Sequence, residues 1–74
     1  MKIKQVNDKY LLTLTAHIES AKTVPQWCWE TFGSGWGEFK LGVPNNIGIC
    51  TSLVIFHKLS HANWFSLKFK DFDN

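Results

Sequence analysis

The side chains able to do chemistry are few: Cys28 and Cys50, three histidines, and the acids Asp8, Glu19, Glu30, Glu38, Asp71 and Asp73. His57 and His61 stand four apart in HKLSH. On a helix that spacing turns two imidazoles to one face, as in the zinc-binding HExxH motif. Here lysine replaces the glutamate, and the segment reads as a strand running into a turn. Cys28 and Cys50 would complete four soft ligands, but neither has a partner at knuckle spacing. No metal and no cofactor are expected.

Nucleophilic chemistry is read the same way. Cys28 lies between Trp27 and Trp29, an apolar setting that raises a thiol pKa and makes it inert. Glu30 and Glu38 would approach each other across a hairpin, as paired glycosidase carboxylates do, yet exposed hairpin positions more often carry charge for solubility. Gly33, Gly35 and Gly37 match neither the Walker nor the dinucleotide spacing, and no lysine follows them. They read as a turn. An enzyme is not expected.

The elements that would position these groups centre on Trp27 to Leu41, WCWETFGSGWGEFKL. Two aromatic-rich runs flank a glycine-serine-glycine break, the pattern of a β-hairpin. Ahead of it, Met1 to Val6 resembles an edge strand blunted by lysines, and Asn7-Asp8-Lys9 a turn. Tyr10 to Ile18 alternates, with Leu12, Leu14, Ala16 and Ile18 opposite Thr13, Thr15 and His17. Glu19 to Pro25 crosses the sheet or makes a short helical turn. Pro44-Asn45-Asn46 turns again. Thr51 to Leu59 is apolar on both faces and belongs in a central strand. Trp64 to Lys70 alternates too, with Phe65, Leu67 and Phe69 inward and Trp64, Ser66, Lys68 and Lys70 outward. The tail Asp71 to Asn74 is expected to fray. The fold class predicted is mainly β: a small antiparallel sheet or partly open barrel of about six short strands, with at most one short helix.

Composition sets the bounds. Seventy-four residues, 45% hydrophobic and 19% charged, predict a single folded domain over 1–74 with a thin stability margin. No apolar run is long enough for a signal peptide core or a membrane span, so the expected compartment is the cytoplasm, with both cysteines reduced. All eight basic residues are lysine, which removes the bidentate forks that arginine brings to phosphate and guanine.

What stands out is tryptophan beside lysine. Under period two, Trp27 and Trp29 share a face, Trp36 sits with Glu38 and Lys40, and Trp64 sits with Lys68 and Lys70. Phe39, Leu41, Phe65, Leu67 and Phe69 form the opposite, core-facing set. This predicts a protein-binding module that docks a larger protein through Trp36, Trp64, Lys40, Lys68, Lys70 and Trp27, or through a sheet edge. Small arginine-free proteins of this kind are common in phages and mobile elements, where they inhibit host or defence proteins by occupying a surface. The alternative is single-stranded nucleic-acid binding by base stacking, which the net charge of +2 and the acids at 30 and 38 disfavour. Sugar stacking has the same aromatic motive and nothing further. A homodimer through an edge strand or the tryptophan face is also expected, because one small core is marginal alone.

Overall fold

The alternating run in the first third of the chain is a strand, β2, over Lys9–His17. A computed structural model describes residues 1–72. Strand β1 (Lys4–Val6) pairs antiparallel with β2 through the two-residue turn Asn7-Asp8. Asn7 takes a left-handed φ of 57° there, which asparagine tolerates better than most residues. Two helices follow β2, α1 (Ile18–Ala21) and α2 (Val24–Phe32). Then come β3 (Gly37–Lys40), β4 (Ile49–Phe56), α3 (Leu59–Lys68) and a 3-10 turn over Lys70–Phe72.

The four strands form one open antiparallel sheet in the order β1-β2-β4-β3. Leu12 opposes Val54 and Phe39 opposes Val54 from the other side, so these residues share one face. That face is roofed by α2 and α3. The core joins Leu12, Leu14, Val54 and Phe56 of the sheet to Val24 and Cys28 of α2 and to Ala62 and Phe65 of α3. Each large side chain fully buried this way contributes about 1.5–3 kcal/mol of transfer free energy. The other face has no helix over it and carries exposed Thr13, Thr51, Glu38 and Lys40 around a buried Ile55, as one face of an antiparallel sheet commonly does.

The expected mainly-β class is therefore corrected to a mixed α/β architecture with four strands, not six, and no barrel. Two of the expected strands are helices. In α2 the inward residues Val24, Trp27, Cys28 and Phe32 fall at i, i+3, i+4 and i+8, the spacing of one helix face. Pro25 lies in the first turn, where its missing N–H costs nothing, and Gly33 caps the end at φ 88°. In α3 the inward set is Ala62, Phe65 and, at its C-cap, Phe69, again spaced three and four apart. β4 is central as expected, but it runs Ile49–Phe56 instead of Thr51 to Leu59, with Leu59 opening α3 and helices over one face only. The 3-10 turn packs Phe72 onto the core rather than fraying. Asp73 and Asn74, expected in that frayed tail, lie outside the described residues.

Gly37 closes the link from α2 into the sheet. Its φ is 150°, and a Cβ placed there would overlap the Ile55 carbonyl of β4. Neither the dihedral nor the space suits a side chain. Gly37→Ala is expected to cost about 2–4 kcal/mol of stability, read as a lower urea midpoint with an unchanged slope. An unchanged midpoint would contradict this account of the corner.

Candidate interaction surface

Helix α3 starts from an extended Lys58 and closes with the Phe69 N–H donating to the Phe65 carbonyl. Its inner face is aromatic. Phe65 stands 5.3 Å from Phe56 and 4.5 Å from Phe69, measured between ring centroids. Helical geometry then fixes the opposite side, where Leu59, Asn63, Leu67 and Trp64 turn outward. Trp64 is 50% exposed and Leu67 64%. Lys68 follows Trp64 by one turn and is also exposed, with Lys70 just beyond.

The sequence-predicted site residues divide into three places. Trp64 and Lys68 lie one turn apart in the C-terminal half of α3, and Lys70 opens the 3-10 turn that follows it. Trp36 is 7% exposed and packs 5.5 Å from Phe56, so its expected outward position is corrected. The positive φ of Gly37 interrupts the strand alternation on which that expectation rested. Trp27 is half-buried, with edge contacts to Phe32 at 5.5 Å, Phe69 at 5.2 Å and Phe65 at 6.0 Å. Lys40 opposes Leu53 on the open sheet face, across the sheet from the helices.

Three further placements differ from the alternating pattern. Leu67, expected inward, faces solvent, because residues 65 and 69 share a helix face that 67 does not. Leu41, expected in the core, is largely exposed at the end of β3. Trp29, expected beside Trp27, is 59% exposed, since two residues along a helix turn about 200°. Its exposure is missed by strand reading and found at once by helical reading.

The groups weighed for chemistry are scattered. Cys28 is buried in α2, and burial pushes its thiol up to about 12, which leaves almost no thiolate near neutrality. Cys50 lies on β4, its thiol 3.6 Å from the Ala16 carbonyl and from Ser52 Oγ. Glu30 is on α2 and Glu38 on β3, so no hairpin sets them opposite one another. His57 follows β4 and is exposed. Among the described residues no three His, Cys, Asp or Glu side chains gather at metal-binding distance. No described helix is long and apolar enough to cross a membrane.

His61 is the histidine whose titration folding alters. Its ring stacks on Phe32 at 4.1 Å and 15°, and its Nδ1 is buried with no hydrogen-bond partner among the described residues. Burial, and then the nearby Lys58 charge, hold its pKa below the ordinary 6.5. The fold thus prefers the neutral imidazole. As pH falls through 6.5 the unfolded chain binds a proton that the fold resists, so stability drops with acidification until the folded pKa is passed. A lower melting temperature at about pH 5.5 than at about pH 7.5 is expected, with a smaller drop in His61→Phe. Equal drops in both chains would exclude His61 as the cause.

No family model, no curated protein and no solved structure matches this chain.

Proposed function

We propose that this chain is a non-enzymatic docking module that binds a larger protein through the outer face of α3. One observation carries the reading: besides its buried face, α3 exposes three large apolar side chains, Leu59, Trp64 and Leu67, among the polar Ser60, Asn63 and Lys68. Large apolar side chains grouped on a solvent side and rimmed by polar ones mark an interaction surface. Leu59, Trp64 and Leu67 supply the outer apolar surface, and tryptophan is enriched among the anchors of protein interfaces. The basic residues in this region, Lys58, Lys68 and Lys70, meet no acid before Asp71. The fitting partner is therefore an apolar groove rimmed by carboxylates. Occlusion of a target's surface, the mode of many phage and mobile-element inhibitors, requires nothing more than such a face.

The test immobilises the full chain and its Trp64→Ala variant and compares what each retains from nuclease-treated lysate of the source cell. Proteins held by the wild type and lost by the variant support the reading. Equal retention contradicts it. Direct binding of oligothymidylate that is lost in Trp64→Ala would replace it with single-stranded nucleic-acid stacking.

A further inference from the structure

Among the described residues, β3 has a strand neighbour on one side only. Its sequence is Gly37-Glu38-Phe39-Lys40, followed by Leu41. The phase of its backbone is set by the His57 N–H, which donates to the Trp36 carbonyl. Along an antiparallel ladder this direction alternates, so Trp36, Glu38 and Lys40 turn their backbone groups to β4. Gly37, Phe39 and Leu41 turn theirs away from the sheet. An edge of this kind is a template for another strand.

We propose that β3 is the interface of a homodimer, in which two copies pair antiparallel about a two-fold axis through Phe39 and join their sheets into one of eight strands. The side chains are self-complementary about that point. Glu38 of one copy opposes Lys40 of the other, twice by symmetry, and both residues lie exposed on the open sheet face. Among the described residues neither makes an ion pair within its own chain, whereas Lys22 pairs with Glu19. Phe39 meets its own copy on the helix side. Leu41 opposes Gly37, so the large exposed side chain meets a residue with none. The residues with outward backbone groups, 37, 39 and 41, become the hydrogen-bonded pairs.

Other pairings of the two edges lack this match. A pairing of β1 with itself about Gln5 sets Lys4 against Val6 and brings no opposite charge. A pairing of β1 with β3 is head-to-tail and propagates into filaments instead of closing. Only β3 with β3 both closes and neutralises. Opposed charges across strands stabilise and like charges destabilise, so the register is selected as well as the partner.

Light scattering on the purified full chain tests this. The wild type is expected at twice the 8.5 kDa chain mass at high micromolar concentration. Glu38→Lys sets lysine against Lys40 twice and is expected to weaken association at least about tenfold. Adding Lys40→Glu to that variant exchanges the two charges and is expected to restore the dimer. A wild type that stays monomeric would overturn the proposal. So would a dimer indifferent to Glu38→Lys, or one that the exchange fails to rescue. Because Trp64 and Leu67 lie on α3, their replacement should leave this dimer intact, and the outcome is separate from that of the docking test.

Discussion

Trp36→Ala is expected to remove about 3–5 kcal/mol of folding free energy. A chain of this length has roughly 4–11 kcal/mol to lose, so the variant should be partly or wholly unfolded near body temperature. The reason is position. Trp36 lies at 7% exposure against Phe56, where the link from α2 enters β3, and Phe56 in turn touches Phe32 and Phe65. Removing the indole leaves a void beside Phe56, the ring that links β4 to α2 and α3. A close-packed core collapses only partly into such a void. Urea unfolding followed by circular dichroism reads the loss directly, and a midpoint equal to the wild type's would place Trp36 outside the core.

Trp64→Ala is expected to do the reverse. Among the described residues the side chain makes no ring contact to the aromatic cluster of the inner face, and half of it is already in water. Its truncation should change stability by about 0.5 kcal/mol or less. Loss of partner binding should reach about 2 kcal/mol or more, a factor of roughly thirty in affinity. Leu67→Ser is expected to act in the same direction with a smaller loss, and Lys68→Glu to slow association with an acidic rim. A Trp64→Ala chain that unfolds would show that the helix depends on the indole for packing.

The strands were legible where residue type and period agreed. Threonines opposite leucines in β2, a lysine-guarded β1, and an apolar β4 each point one way, and Asn7-Asp8 marks the turn between the first two. The helices were hidden by coincidence of pattern. Phe65, Leu67 and Phe69 satisfy period two, yet Phe65 and Phe69 with Ala62 also satisfy a helix, and packing on Phe56 decides for the helix. Trp64 faces outward in both readings, which is why its exposure could be anticipated while that of Leu67 could not. In α2 the signals were present in Pro25, Gly33 and the spacing of Val24, Trp27, Cys28 and Phe32. The glycines that follow resemble a hairpin turn, because a helix cap and a strand entry need the same conformational freedom. Trp36 was beyond reach of any periodic rule, since the positive φ of Gly37 resets the alternation just after it.

The most direct measurement of the docking role is retention of protein from nuclease-treated lysate by wild type and Trp64→Ala at matched concentration, once both show the same melting temperature. The account predicts a protein held by the wild type and lost, by a factor of about ten or more, by the equally folded variant. Retention of the same protein in the same amount by both would contradict it.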